Sequence, residues 1–303
     1  MNAVVVVCIV LLLAGGVIAL RWGHLRLVAP WVDDADDDLG WKERLRRTAW
    51  YIVVHVGAAL GSGLLVVGPG GRLVMRLLAV TSGDDAQGKL TEAKEVVGEI
   101  TIGGTIGFIV FVGLGGGMLI AVLSAAARKW LPPGRLGALA LAFGAAVVFS
   151  TRLEPLRPDN EDFAIVGPPW LAVVTFLGLG LLAFLTFAAI AGRLGRSLPL
   201  LTKRPRVLVC YLPLVLILLL GVGFALGVAV VALAVSLLAQ PWFRKVWSNR
   251  RVTIGGRLAL AAVVVAFLPS FIGDVTEILG TDQPSATATE TIGDGGGLSP
   301  SEP

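Results

Sequence analysis

Charged residues are scarce in this sequence of 303 residues, at 15% of the total. A soluble domain carries about 25% charge, so this chain lacks the polar surface that would cover it in water. Hydrophobic residues make up 55%, and the mean hydropathy is +0.83. They fall in nearly uncharged blocks of roughly 17 to 28 residues, each long enough to cross about 30 Å of hydrocarbon as a helix. The scarcity of charge therefore predicts an integral membrane protein.

Cysteine and histidine are nearly absent, with two residues of each. Cys8 and Cys210 lie inside apolar blocks, where cysteine behaves as a small hydrophobic residue, and their number excludes a disulfide framework or a zinc pattern. His24 and His55 are too few for a histidine-rich metal site. We predict no metal, no cofactor and no catalytic residue.

The apolar blocks predict an all-α bundle of about eight transmembrane helices in one polytopic domain, residues 1–280. The predicted spans are 4–20, 48–67, 101–127, 136–150, 170–191, 207–221, 223–239 and 257–272. Residues 207–239 are divided into two because one helix would be about 50 Å long. Residues 281–303 are acidic and rich in Gly, Ser, Thr and Pro, which predicts a disordered tail.

Lysine and arginine cluster beside the apolar blocks, so the net charge of +4 indicates how the helices are oriented in the membrane. This placement argues against nucleic-acid binding. The first block is followed by Arg21 and Arg26 and has no basic residue before it. This order favours a retained helix with its N-terminus outside, although a cleaved signal peptide remains an alternative. Eight spans place the basic loops in the cytoplasm of a bacterium and both chain ends outside the plasma membrane.

Residues 68–100 form the longest charged stretch between two predicted spans. Residues 69–71 predict a flexible turn, and a short helix follows with Arg72 and Arg76 on one face. A second short helix carries three glutamates: Glu92, Glu95 and Glu99. Two interpretations stay open. The arginines pair with these glutamates or with lipid phosphates, or they form a guanidinium clamp for an anionic ligand.

Two further charged groups are predicted on the outer side. The loop 151–168 carries Arg152 and Arg157, and the last span ends with Asp274 and Glu277 at i,i+3 spacing. If the spans pack as a bundle, these groups meet Arg72 and Arg76 in one outer vestibule, where an arginine–carboxylate pairing is expected. The alternative is a solvated loop with local ion pairs of little energetic weight. The acidic run 33–38 lacks the spacing of a calcium loop.

Glycines at four-residue spacing predict close packing between helices. The pairs are Gly57 and Gly61, Gly103 and Gly107, Gly113 and Gly117, and Gly223 and Gly227. His55 lies inside the second span, seven residues before Ser62, and the rise of about 10 Å between them excludes a serine–histidine dyad. His55 is either a hydrogen-bonded interior group or a proton relay.

The runs GRLVMRLLAVTSGD, LTEAKEVVGEITIGGTIGF and RPDNEDF resemble a family of uncharacterised multi-pass membrane proteins from actinobacteria and similar bacteria. The likeness covers residues 48–191 and implies a plasma-membrane location. It implies no catalytic role, because no activity is attached to the family. The motif positions are Gly71, Arg72, Met75, Arg76, Gly103, Gly104 and Arg157.

These features predict a non-enzymatic membrane module that binds a lipid headgroup or an envelope partner through the outward loops 68–100 and 151–168. The alternative is a permease for a small anionic solute, against which the scarcity of charge at mid-bilayer depth argues. A continuous polar cavity past His55 would reverse this order. The sequence contains no recognisable nucleophile–base pair or metal cluster that predicts an enzyme.

Overall fold

The computed structural model describes residues 3–27, 40–82, 88–89, 101–152, 156–160, 166–201, 207, 209, 211 and 249–280. The α-helices in this part of the chain are α1 (Ala3–Trp22), α2 (Trp41–Ser62), α3 (Gly68–Thr81), α4 (Ile102–Phe108), α5 (Leu114–Ala127), α6 (Arg135–Phe149), α7 (Pro169–Ser197) and α8 (Arg250–Leu279). Two π-helical turns, Gly63–Val67 and Ile109–Gly113, join α2 to α3 and α4 to α5. The described residues contain no strand.

Five helical segments in the described residues are long and apolar enough to cross a membrane. They are Ala3–Trp22, Trp41–Thr81, Ile102–Ala127, Pro169–Ser197 and Arg250–Leu279. Helix α6 is apolar but has only 15 residues. The all-α class is confirmed, and its apolar helices suit a membrane protein. The predicted spans 207–221 and 223–239 and the tail 281–303 lie outside the described residues, so the number eight stays a prediction.

The predicted turn at residues 69–71 is wrong. Helix α2, the π turn and α3 form one continuous helix of 41 residues, Trp41–Thr81. The glycines here allow close packing instead of a turn, since a Cβ placed on Gly68 would lie 2.9 Å from the Cα of Ile109. Pro69 stands at the start of α3, directly after the π turn, where the missing N–H costs least because the regular hydrogen-bond ladder is already interrupted.

The two π turns lie against each other. A Cβ on Gly113 would lie 2.9 Å from the carbonyl oxygen of Gly63, and a Cβ on Gly63 would collide with the Gly113 carbonyl. One residue before the first π turn, the buried Ser62 hydroxyl donates to the Ala183 carbonyl at 2.8 Å. Three helices are therefore fixed together at this level by backbone contact and a buried hydrogen bond.

The main core lies between α2, α5 and α7. Its member Trp50 is fully buried and donates its indole N–H to the Leu198 carbonyl at 2.9 Å. Thr186 on α7 is also buried and donates to the Gly15 carbonyl of α1 at 3.2 Å. A smaller apolar cluster lies near the other end of the bundle. Its buried members are Val74, Leu78, Leu156, Ala172, Val173 and Ile278.

Arginines tie the basic helix ends together at one end of the bundle. Arg135 donates to the Leu20 carbonyl at 2.6 Å, Arg257 to the Trp130 carbonyl at 3.2 Å, and Arg46 to the Leu201 carbonyl at 2.6 Å. We call this end the basic face; it also holds Trp22, Arg128 and Arg193. The other end, the opposite face, holds Ala3, Thr81, Ile102 and Leu279.

Candidate functional site

Arg72 lies within a helix inside the bundle. Its guanidinium carbon is 5.0 Å from the centre of the Phe108 ring, and its Nη2 atom would be 2.9 Å from a Cβ placed on Gly104. Its Nε atom is buried and has no hydrogen-bond partner in the described part of the chain. An aromatic ring and a glycine therefore hold the cation in place, and both contacts leave N–H donors for an anionic group.

Arg76 lies one turn further along α3 and is half-buried. Its i,i+4 spacing puts it on the same side of the helix as Arg72. Unlike the Nε atom of Arg72, the Arg76 side chain has an interaction partner of its own. Arg72 is thus the member of the predicted clamp with unsatisfied hydrogen-bonding capacity. The glutamates of the neighbouring predicted helix lie outside the described residues.

A second polar group forms where the end of α6 meets α8. Thr151 is 3% exposed and donates its hydroxyl to Asp274 Oδ2 at 2.6 Å. Arg152 donates to the Ser270 hydroxyl at 3.0 Å, and its guanidinium carbon is 4.5 Å from the Phe267 ring centre. A buried hydroxyl, rather than Arg72, is therefore the hydrogen-bond donor to Asp274.

The remaining predicted residues, the half-buried Arg157 and the exposed Glu277, lie near this junction. Arg157 forms an ion pair with Asp159 (Nε to Oδ1, 2.6 Å), and the Asp159 side chain is 74% exposed. Such a pair contributes about 0–1 kcal/mol. Glu277 is exposed near the end of α8 and has an interaction partner of its own. The contacts of Arg72 lie between α3 and α4, whereas those of Arg152 and Asp274 lie at the α6–α8 junction.

The predicted glycine pairs differ in what they contact. Gly57 and Gly61 face α7, where a Cβ would lie 2.9 Å and 2.5 Å from the nearest side-chain atoms. Gly113 and Gly117 meet the backbone of the Trp41–Thr81 helix, and a Cβ on Gly117 would collide with the Ala59 carbonyl. The pair with no described atom within 4 Å is Gly103 and Gly107. Gly223 and Gly227 lie outside the described residues.

A cavity of about 350 Å³ lies near the basic face, between α2, α5, α6 and α7. His55 lines it, with its Nδ1 atom 2.8 Å from the Tyr51 carbonyl oxygen and its ring centre 6.1 Å from that of Phe187. Arg128 also lines it, with its guanidinium carbon 4.5 Å from the Tyr51 ring centre. No group of three or more His, Cys, Asp or Glu side chains in the described ranges is placed to hold a metal ion.

Sequence reasoning missed the aromatic partners of the arginines. Phe108 under Arg72 is separated from it by 36 positions, and no local pattern announces that contact. In the sequence, Arg128 indicates only that the third predicted span ends on the cytoplasmic side. A weak signal exists at Tyr51 and His55, whose i,i+4 spacing places a ring and an imidazole on one side of α2.

Comparison of the chain with protein-family models, with curated proteins and with solved structures finds no match. The resemblance of the three sequence runs to actinobacterial membrane proteins therefore stays a prediction. The evidence on function therefore comes from the surroundings of Arg72 and from the cavity that contains His55.

Proposed function

We propose that this chain is a multi-pass protein of the bacterial plasma membrane that binds an anionic lipid headgroup through Arg72. It acts as a binding module rather than an enzyme. The basic face lies in the cytoplasm, and the opposite face lies outside, as the distribution of positive charge favours. The observation that carries the proposal is the buried Nε atom of Arg72, which has no hydrogen-bond partner among the described residues.

The depth of Arg72 supports a binding role. Thr81, the last residue of α3, follows Arg72 by nine positions, which is about 13.5 Å of helix. A Cβ on Gly70, two residues before Arg72, would lie 3.3 Å from Leu12, in the middle of α1. An arginine at such depth costs at least about 2.5–3.5 kcal/mol, and ions at this depth usually mark a functional site.

The headgroup of a phospholipid suits this site because the bilayer supplies its phosphate at the interface beside the helices, and a long arginine side chain can extend toward it. A guanidinium offers parallel N–H donors that match two phosphate oxygens. The Phe108 ring holds the guanidinium from one side without competing for an anion. The lipid's acyl chains would remain in the bilayer, beside exposed apolar residues such as Val80 and Ile106.

Lipid retained by the purified protein tests the proposal. The full chain is extracted in mild detergent, and bound lipids are measured by native mass spectrometry for the wild type, Arg72→Gln and Arg72→Lys. We expect anionic phospholipid on the wild type, about 10-fold or more weaker retention for Arg72→Gln, and partial retention for Arg72→Lys, because one charge-assisted contact is worth about 1.5–3 kcal/mol.

Lys89→Gln is the control, since this cation is exposed. If Arg72→Gln retains as much anionic lipid as Lys89→Gln, the headgroup site is wrong. Co-purification of an acidic envelope protein that depends on Arg72, without lipid, would assign the site to a protein partner instead.

Transport of a small anionic solute is the second candidate function, favoured by the cavity that contains His55. The cavity extends to Phe184, next to the Ala183 carbonyl that accepts from Ser62 beside the π turns. Its deeper lining is apolar, which disfavours an ion path. Uptake of phosphate or acetate into proteoliposomes that is lost in His55→Leu would place transport first; absence of uptake leaves the binding module as the function.

A further inference from the structure

We propose that the cavity near the basic face is a second ligand site, which binds a single-chain amphiphile whose head carries a phosphate beside a hydroxyl group. Arg128 binds the phosphate, His55 binds the hydroxyl, and the aromatic residues of α7 contact the chain. This inference does not depend on the lipid site at Arg72, which lies in the other half of the bundle.

The position of the cavity determines how a ligand would lie in it. Arg128 follows the end of α5 at the basic face, whereas Phe184 lies about half-way along α7. The polar lining runs from Arg128 at the basic face to His55 and Ser124 about one helical turn deeper, and the apolar lining at Phe184 is deeper still. A volume of about 350 Å³ is at the lower end of the range for small-molecule pockets, so the cavity holds the head and the first part of a chain whose remainder lies in the bilayer. An amphiphile with its head toward the cytoplasm matches this gradient.

The hydrogen bond of His55 decides which of its nitrogens is available. Its Nδ1 atom lies 2.8 Å from the Tyr51 carbonyl oxygen. A carbonyl oxygen only accepts, so Nδ1 carries the proton, and in the neutral ring Nε2 is left as an acceptor. No other hydrogen bond to the His55 ring occurs within the described ranges. The ligand group that hydrogen-bonds to His55 Nε2 is therefore a donor, such as a hydroxyl.

Arg128 requires the opposite kind of ligand group, a hydrogen-bond acceptor. Its guanidinium rests on the Tyr51 ring at 4.5 Å and makes no hydrogen bond in the part of the chain that the structure describes. A guanidinium only donates, and it prefers phosphate or carboxylate oxygens. Both groups flank the same tyrosine, since the His55 ring centre is 6.5 Å from that of Tyr51. One ligand head must therefore offer an anionic oxygen and a hydroxyl together.

A glycerophosphate head satisfies both requirements, because its phosphate adjoins a hydroxyl-bearing glycerol. The deeper lining of Leu141, Phe184 and Phe187 offers no polar side-chain atom, so the rest of the ligand is a hydrocarbon chain. The same head chemistry has two sources, a lysophospholipid and free glycerol 3-phosphate. The apolar lining favours the lysophospholipid.

The test measures binding of radiolabelled lysophosphatidylglycerol to the purified full chain in a non-ionic detergent. Competition with monoacylglycerol, which has no phosphate, and with glycerol 3-phosphate, which has no chain, separates the contributions of head and chain. We expect each competitor to bind at least 10-fold more weakly than lysophosphatidylglycerol. Equal competition by glycerol 3-phosphate would overturn the amphiphile assignment and identify a soluble ligand.

Variants assign the binding to the named residues. Arg128→Gln is expected to raise the Kd about 10- to 100-fold and His55→Leu about 3- to 10-fold, from the loss of a charged and of a neutral hydrogen bond. Arg193→Gln is the matched control, because Arg193 also lies over an aromatic ring at the basic face, 5.8 Å from the Trp22 centroid, and does not line the cavity. Its Kd is expected to stay within about 2-fold of the wild type.

Ala188→Phe provides an independent test that keeps both polar residues. Ala188 lines the cavity, so a phenylalanine there occupies the space of the chain, and lysophosphatidylglycerol binding should fall at least 10-fold. Thermal unfolding identifies any variant that fails to fold. A wild-type protein that does not bind lysophosphatidylglycerol, or equal Kd values for Arg128→Gln and Arg193→Gln, would refute the proposal.

Discussion

Gly117 shows how a single side-chain atom decides whether two helices of this bundle can touch. A Cβ there would collide with the Ala59 carbonyl of α2, whereas Gly115, two residues away on α5, has no described atom within 4 Å. Glycine is therefore required on the side of α5 that contacts α2, but not on the exposed side of the same helix. In a membrane, where lipid offers helices no hydrophobic driving force, such close contacts are a main source of association energy.

Gly117→Val is expected to lower the free energy of unfolding by about 1–3 kcal/mol, because the added atoms force α2 and α5 apart. Gly115→Val, on the exposed side of α5, should change it by less than about 0.5 kcal/mol. Thermal unfolding in detergent, followed by tryptophan fluorescence, measures both. Equal melting temperatures for the two variants would show that the α2–α5 contact is not as close as described.

Thr151→Val is expected to destabilise the α6–α8 junction by about 1–3 kcal/mol, because it leaves the Asp274 carboxylate without its hydroxyl donor. Thr175→Val is the control, since the Thr175 hydroxyl bonds only to backbone carbonyls of its own helix. Urea or thermal unfolding measures the difference. If Thr151→Val is as stable as Thr175→Val, the Asp274 carboxylate is satisfied by another donor.

At the scale of elements, the π turn Gly63–Val67 explains how a 41-residue helix keeps two sets of contacts in register. A π turn accommodates one residue more than the α-helical pattern. Before it, α2 packs on α5 and α7; after it, α3 places Arg72 on Phe108. The facing π turn, Ile109–Gly113, has the same position between α4 and α5.

Deletion of Leu64, a 40% exposed residue of the π turn, is expected to leave a folded protein. The shortened segment can close as regular α-helix, so the flanking helices keep their faces. Deletion of Ile52 within α2 should abolish folding, because it rotates one side of the helix by about 100° and turns the Trp50 side away from its partners. Size-exclusion chromatography and thermal melting distinguish the two. Equal loss of folded protein would contradict this role of the π turn.

At the scale of the whole molecule, the described helical segments alternate in direction between the basic face and the opposite face, with α2–α3 and α4–α5 each counted as one segment. Helix α7 ends and α8 begins at the basic face, as the contacts of Arg193 and Arg257 show. The two ends of the segment between them therefore lie at the same face. This agrees with an even number of crossings between residues 198 and 249, which the 33 uncharged residues 207–239 predict as two spans.

Cysteine labelling tests the proposed orientation. In a Cys8→Ser, Cys210→Ser background, Asp159→Cys should react with a membrane-impermeant maleimide on intact cells, because Asp159 is exposed on the loop after α6. Arg196→Cys, at the basic face, should react only after the cells are permeabilised. The reverse pattern would invert the topology and place Arg72 in the cytoplasmic half of the bilayer.

The helical class, the presence of several apolar helices and the grouping of basic residues at one end follow from the sequence. These properties are local, because the length of an apolar block and the charges at its ends depend on neighbouring residues alone. The glycine pair on α5 is also visible locally, although its partner is not. The same local reasoning fails at Gly68 to Gly71, where glycine and proline usually mark a turn.

Only the tertiary structure decided that this segment continues as helix, that Arg72 lies on Phe108 while Asp274 accepts from Thr151, and that His55 and Arg128 share a cavity. Each depends on helices far apart in the chain, and on backbones that approach closely enough for glycine alone to fit. A sequence states which helices can enter a membrane, but the faces that they turn toward one another are fixed by packing, because the contact energy that selects them exists only after the helices have met.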